Sequence, residues 1–487
     1  DMSTMNLTLL TDLYELTMMQ GYFKNNCNET VVFDMFYRNN PCGNGYAICA
    51  GLDQLIDYIK RLEFSDEDIA YLDSLHLFED DFLEYLRGFH FSGDIYAIPE
   101  GTVVFPREPL VKVVAPIMEA QLVETALLTI INHQSLIATK TARVVYAADG
   151  GGVMEFGLRR AQGPDAGVYG ARAAMIAGCI GTSNVLAGQL FDVPVKGTHA
   201  HSWIMSFPDE YTAFKKYSEL YPDACCLLVD TYDTLKSGVP NAIRVFTEMR
   251  EAGIELKNYG IRLDSGDLAY LTKRARQMLD EAGFPDAFIS ASSDLDEYLI
   301  TSLKSQGCCI DSWGVGTNMI TSKDCPAFGG VYKLAAVQDG DGNYIPKIKL
   351  SENIEKITNP GNKTVFRIYE KSDHKIKADL ICLADEVFDE SRDLTIFDPL
   401  ETWKRTKLKA GTYELRELLI PVFRKGECVY TSPSVMELRD ICAKELDTLW
   451  EEHRRLINPS EMYVDLSDKL YDIKKNLLHQ MSMDDDR

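Results

Sequence analysis

Missing from the 487-residue sequence are C-x-x-C pairs, long apolar runs and an excess of basic charge. The first absence excludes a zinc ribbon or a thioredoxin-type motif. The twelve cysteines include the adjacent pairs Cys225/Cys226 and Cys308/Cys309, inside apolar runs that read as buried strands. They are expected to be reduced thiols of a cytoplasmic protein. No stretch reaches the roughly 18 apolar residues of a membrane span. The start, DMSTMNLTLL, has no basic segment followed by an apolar one, so the protein reads as unexported and without a membrane partner. With 50 Lys and Arg against 74 Asp and Glu, the formal charge of -24 repels a phosphodiester backbone and speaks against nucleic acid as a partner. A phosphate-bearing substrate must then be caught by local donors. What is present, 46% hydrophobic and 25% charged residues, is enough to bury a sizeable core and to exclude global disorder. The length suits one large barrel with a smaller companion.

Two rhythms run along the chain. Leu9, Leu13, Leu16, Met19 and Phe23 recur at helical spacing, with Thr11 and Asp12 as capping candidates, and VVFDMFYR (31–38) is β-branched and aromatic. Acidic helices over 52–90 and short Pro/Gly-broken strands over 94–115 complete a first α+β segment, residues 1–130. From about 131 to 340, short apolar runs end in polar residues and alternate with amphipathic helices: VMEFG, VPVKGTHAHS, CCLLVDTYD, GIRLDSGD, FISASSD, CCIDSWGVGT and GGVYKLAA. Alternating strand and helix with unbroken apolar strands predicts a parallel sheet, and roughly seven such runs point to an α/β barrel. Residues 341–487 return to short strands and a charged helix. They are expected to rejoin the α+β domain and end in helices, with a mobile tail at 481–487. The fold class is thus α/β, an irregular parallel barrel with a smaller α+β domain built from both chain ends.

In such a fold the residues at strand-to-helix junctions face the active site. KGTHAHSW, after the strand expected at Val193–Val195, sets His199 and His201 two apart, on one face if the strand continues. No third convergent Cys or His favours a metal there, and His201 takes the acid–base or nucleophilic role. In VDTYDT either Asp230 or Asp233 can orient His201, as a carboxylate does in hydrolytic triads; Asp230 is the catalytic candidate. IRLDSGDL places Arg262 and Asp264 on one strand face, with Asp267 capping the next helix. WGVGTN, after strand residues Cys308–Ile310, offers Gly314, Gly316 and Thr317 as a phosphate nest, and SSDLDE adds Ser292, Ser293 and Asp294 as a second group of donors. In FGLRRAQG the two arginines, read as strand neighbours, face opposite sides; Arg159 is assigned to a carboxylate or phosphate and Arg160 to structure.

Taken in order, LLTDLYELTMMQGYF, FGLRRAQG, SNVLAGQL, GTHAHS, LLVDTYDT, IRLDSGDL, SSDLDE, GVGTN and KLSENIEKITNPGNK resemble the nicotinate phosphoribosyltransferases, over nearly the whole chain. The resemblance implies a type II phosphoribosyltransferase fold and transfer of phosphoribosyl from PRPP to nicotinate, giving nicotinate mononucleotide and pyrophosphate. It further implies coupled ATP hydrolysis, a homodimer with shared sites, and Mg²⁺ carried mainly by pyrophosphate with no direct protein cage. It makes His201 the phosphorylated histidine, and Tyr14 the aromatic that stacks on nicotinate from the partner subunit. Arg159 falls near the substrate, Arg262 and Asp264 around base and ribose, and Gly314, Gly316 and Thr317 at the phosphate. His199 receives no role. Rival readings are nicotinamide phosphoribosyl transfer on the same fold and a phosphate-binding barrel such as an aldolase, which needs a Schiff-base lysine, Lys196 or Lys333. A non-catalytic barrel is the third.

Overall fold

Apolar runs without alternation become strands covered on both faces, as at Cys225–Leu228, where all four side chains are buried. The computed structural model describes residues 6–484, which divide into two compact units. One holds Ile137–Pro326 with Ser434–Arg439. The other holds the chain up to Leu136, Ala327–Pro433 and the stretch from Asp440 onward.

The first unit is built on a six-stranded parallel sheet. In spatial order its strands are Gly181–Thr182, Gly152–Glu155, Ser312–Val315, Phe288–Ser292, Tyr259–Leu263 and Cys225–Leu228. A single parallel bridge from Thr182 to Val195 extends one edge. No ladder among the described residues joins the two edges, so the sheet is a curled half-barrel and not the closed ring that seven strand-like runs suggest. The connecting helices start where short polar side chains satisfy their first amide groups. Asp209, Asp267 and Asp296 accept from Thr212, Tyr270 and Leu299 N–H, and Asn184 accepts from Ala187 N–H.

The other unit contains two mostly antiparallel sheets. The seven-stranded one runs Tyr344–Pro346, Gly330–Gln338, Thr30–Tyr37, Val111–Pro116, Asp94–Ala97, Ile420–Arg424 and Glu427–Cys428. Gly330–Gln338, expected with the barrel strands, pairs antiparallel with Thr30–Tyr37 instead. A buried strand carries the same apolar signature in either sheet, so the run could not declare its partner. The six-stranded sheet is sealed by a bidentate pair across two strands: Arg367 Nε and Nη2 donate to Asp379 Oδ1 and Oδ2, both at 2.9 Å, with both side chains fully buried.

Three smaller expectations fail for local reasons. Cys308–Ile310 forms no strand; the strand begins at Ser312, leaving Cys308 and Cys309 only half-buried in the preceding turn. Val193–Val195 contributes only the single bridge at Val195. The tail expected to be mobile from 481 instead begins inside the helix Asp468–Asp484, and 485–487 lie outside the described residues.

Candidate active site

Each parallel strand delivers its polar residues just past its C-terminal end, where ligands bind in sheets of this kind. Cys225–Leu228 leads to Asp230 and Thr231, Tyr259–Leu263 to Asp264 and Ser265, and Ser312–Val315 to Gly316 and Thr317. His201 opens the short helix His201–Met205 and meets the first two of these groups. Its Nδ1 lies 3.0 Å from Thr231 Oγ1. Its Nε2 lies 3.8 Å from Asp230 Oδ1 and 3.7 Å from Asp264 Oδ2. These separations exceed a hydrogen bond but keep a positive imidazole, or a cation beside it, in the field of two carboxylates.

The two carboxylates differ in setting. Asp230 is buried, with 2% of its side chain exposed, whereas 41% of the Asp264 side chain is exposed. Asp230 Oδ2 accepts from Asp264 N–H at 2.8 Å and from the Ser265 hydroxyl at 2.7 Å. Its Oδ1, on the His201 side, has no hydrogen-bond partner among the described residues. The Ser292 hydroxyl donates to Asp264 Oδ1 at 2.8 Å. Ser292 pairs with Gly314, so His201, Asp264, Ser292 and Gly314 form one continuous line of contacts. Asp233 does not join it; it caps the turn Thr234–Gly238 by accepting from Lys236 N–H at 2.9 Å. Gly238 ends that turn so tightly that a Cβ would run into the Val229 carbonyl oxygen, one residue before Asp230.

Arg262 donates from Nη1 to Thr198 Oγ1 at 2.6 Å, while its buried Nε has no partner among the described residues. A guanidinium with an unused buried donor calls for an anion. His199 turns away from His201, because the chain between them is not a strand. Its ring packs edge-on to Tyr217 at 4.7 Å, and Leu228 N–H donates to its Nε2 at 3.4 Å. Burial, reinforced by the charge of Arg262, pushes its pKa down to about 4 and keeps the imidazole neutral.

The two arginines lie in a 3₁₀ turn, Leu158–Arg160, not on a strand, so the opposite-faces argument does not apply and both are exposed. The turn is anchored by Glu155, a fully buried residue missed in the sequence, which accepts from Gly157 N–H at 2.5 Å and from the Thr182 hydroxyl at 3.0 Å. Burial raises its pKa above the usual carboxylate range. Phe156, also missed, packs over Gly314, where a Cβ would come within 2.5 Å of the ring. Gly314 is therefore a strand residue making room for an aromatic, and only Gly316 and Thr317 lie at the turn into the short helix Thr317–Ile320. Asn318 ties this turn to the exposed Ser293 and Asp294 segment by donating to the carbonyls of Asp294 and Leu295, at 3.3 and 3.1 Å.

Tyr14, Lys196 and Lys333 take no part in the contacts described above. Tyr14 belongs to the other unit, where it is 48% exposed and its phenol donates to Glu124 Oε2 at 3.2 Å. Lys333 is in the antiparallel sheet, away from any parallel strand end, whereas Lys196 is an exposed loop residue just past the single parallel bridge at Val195. No group of three His, Cys, Asp or Glu able to hold a metal ion occurs among the described residues. No helix among them is long and apolar enough to cross a membrane.

Comparison with known proteins gives the same arrangement a lineage. Family models match for the nicotinate phosphoribosyltransferase N-terminal domain at residues 9–132, the nicotinate phosphoribosyltransferase family at 152–322 and the C-terminal domain at 362–474. A nicotinate phosphoribosyltransferase of Bacillus subtilis is 48% identical, covering 98% of this chain and 96% of its own. The human one is 33% identical, covering 96% of each. A crystal structure of human nicotinic acid phosphoribosyltransferase superposes with a TM-score of 0.83 at 30% identity, covering 96% of this chain and 99% of that one. A Pyrococcus furiosus nicotinate-nucleotide pyrophosphorylase shares the fold at 22% identity, with a TM-score of 0.69 over 91% of this chain and 96% of its own. With three family models laid in sequence along it and such relatives matching nearly end to end, this chain belongs to the nicotinate phosphoribosyltransferase family.

Proposed function

We propose that the protein transfers phosphoribosyl from PRPP to the ring nitrogen of nicotinate, forming nicotinate mononucleotide and pyrophosphate in NAD salvage, coupled to ATP hydrolysis through phosphorylation of His201. The observation that carries this reading is the open imidazole of His201 between the Asp230 and Asp264 carboxylates, at 3.8 and 3.7 Å. Family membership supports the substrate pair. The unused buried donor of Arg262 suits the carboxylate of nicotinate, and favours the acid over the amide.

As the bond from ribose C1 to pyrophosphate loosens, positive charge grows on the ribose and negative charge on the leaving group. Asp264 is placed to stabilise the first, with Ser292 fixing its carboxylate. Asp230, anchored by two donors on one oxygen, holds the other oxygen toward His201 and helps orient the imidazole. Backbone amides at Gly316 and Thr317, with Ser293 and Asp294, are assigned to phosphate and ribose groups. Gly314 serves there by making room for Phe156. Arg159 is assigned to the substrate rim.

Mg²⁺ would neutralise pyrophosphate as it leaves. The unpartnered Oδ1 of Asp230 and the exposed Asp264 carboxylate fit an ion brought in on the substrate rather than one caged by protein.

A homodimer with shared sites is part of this reading, Tyr14 being supplied by the partner. Leu10, Leu13, Tyr14 and Met18 stand 38–51% exposed along the first helix and its approach, an apolar strip suited to a second copy. All twelve cysteines are thiols, which suits the cytoplasm. Incubation with nicotinate, PRPP, Mg²⁺ and ATP, followed by product analysis and intact-mass measurement, tests the proposal. Nicotinate mononucleotide together with phosphohistidine at position 201 is expected; nucleotide without ATP consumption would remove His201 from its role.

A further inference from the structure

The first helix, Leu13–Lys24, carries on successive residues an exposed aromatic and a fully buried acid, Tyr14 and Glu15. Among the described residues Glu15 has no ion pair with a basic side chain. The Gln121 side-chain amide donates to Glu15 Oε2 at 2.6 Å and to Glu124 Oε2 at 3.1 Å, so two carboxyl groups converge on one amide. The same Glu124 oxygen accepts the Tyr14 phenol at 3.2 Å. Glu15 Oε1 is buried without a hydrogen-bond partner among the described residues. Asp12, before the helix, meets Thr125 through N–H and side-chain contacts of 3.3 Å, which fixes the helix start against the same corner.

Two carboxylates cannot both ionise cheaply in such a place. We propose that Glu15 keeps its proton beside the Glu124 carboxylate, and that this arrangement is a positioning device that holds the Tyr14 ring in the orientation that receives the substrate ring. The inference rests on the role given to Tyr14 in the proposed function. Glu15 in its neutral form bridges to Glu124 and leaves the Glu124 oxygen to anchor the phenol.

Burial first, and Glu124 next, push the Glu15 pKa up to about 8. The other groups facing the pair are the phenols of Tyr22, Tyr58 and Tyr332, and the ammonium of Lys333. The phenols are pushed upward by burial and by Glu15 or Glu124, and stay neutral through this range. The alkaline transition therefore belongs to Glu15. Because the folded pKa lies above that of the unfolded chain, stability is fully present below the unfolded value and is lost as pH rises through the folded one.

The test compares wild type, Glu15→Gln and Glu15→Ala between pH 7 and 9.5. Wild type is expected to lose nicotinate affinity, with KM rising about fivefold while kcat holds. Glu15→Gln, which keeps the acceptor and cannot ionise, is expected to stay flat. Glu15→Ala is expected to start with the raised KM at pH 7. An alkaline rise in Glu15→Gln equal to wild type would overturn the proposal, as would equal loss of kcat and KM in Glu15→Ala. If wild type makes no nucleotide, the proposed function fails and the pair is judged by thermal unfolding. A midpoint that falls between pH 5 and 8.5 in wild type but not in Glu15→Gln supports the pair; the same fall in both refutes it.

Discussion

The antiparallel sheet around Arg367 and the strand ends around His201 handle charge in opposite ways. Arg367 and Asp379 are fully buried and locked by two bonds of 2.9 Å. His201, Asp230 and Asp264 stand nearly 4 Å apart, with 39% of the imidazole exposed. A closed pair repays its desolvation only through geometry, and the atoms so matched are spent on each other. The open group forgoes that return and keeps its interactions for whatever enters.

The sharpest way to break the contrast is to remove one partner of the closed pair. Asp379→Ala should cost about 4 kcal/mol of unfolding free energy, measured by denaturant titration, because a buried guanidinium loses its counter-charge. The matching change at the open group should leave that titration nearly unmoved. His201→Ala should instead lower ATP-stimulated turnover about a hundredfold, or ~2.7 kcal/mol. If both changes unfolded the protein equally, the distinction would collapse.

His199 sharpens it further, since it lies two residues from His201 yet belongs with the closed interior. Its folded pKa, about 4, lies below the value of roughly 6.5 for an unfolded histidine, so stability is lost as pH falls from the upper value to the lower. On the order of 2 kcal/mol of acid sensitivity should vanish in His199→Gln relative to wild type, read from unfolding curves at pH 7 and 4.5. The smallest effect is at the rim. Arg159→Lys should raise nicotinate KM about tenfold with kcat kept, because a point ammonium replaces a planar fork. An unchanged KM would move the carboxylate contact to Arg262 alone.

Which polar residues gather was easier to see in the sequence than how they meet. Asp230 and Asp264 were legible because each breaks an apolar run with a polar residue at a strand-to-helix junction; His201 was legible only through its motif, since the run before it forms a single bridge. Asp267 was legible as a cap because its preference is local. Partners distant in the chain were not: Thr231 under His201, Ser292 on Asp264 and Thr198 on Arg262 are common hydroxyls that acquire meaning only when strands align. Gly330–Gln338 was misassigned because burial on both faces erases the alternation that would have revealed an antiparallel neighbour. The 3₁₀ turn at Leu158–Arg160 was misread as strand because an apolar run gives no signal for where pairing stops.

Gly238 shows how far the demands of such a site reach. Its hydrogen atom faces a main-chain oxygen next door to Asp230, and no larger substituent fits there. A replacement at this position would be diagnosed by an assay as a fault in turnover, though nothing at 238 need ever meet a reactant.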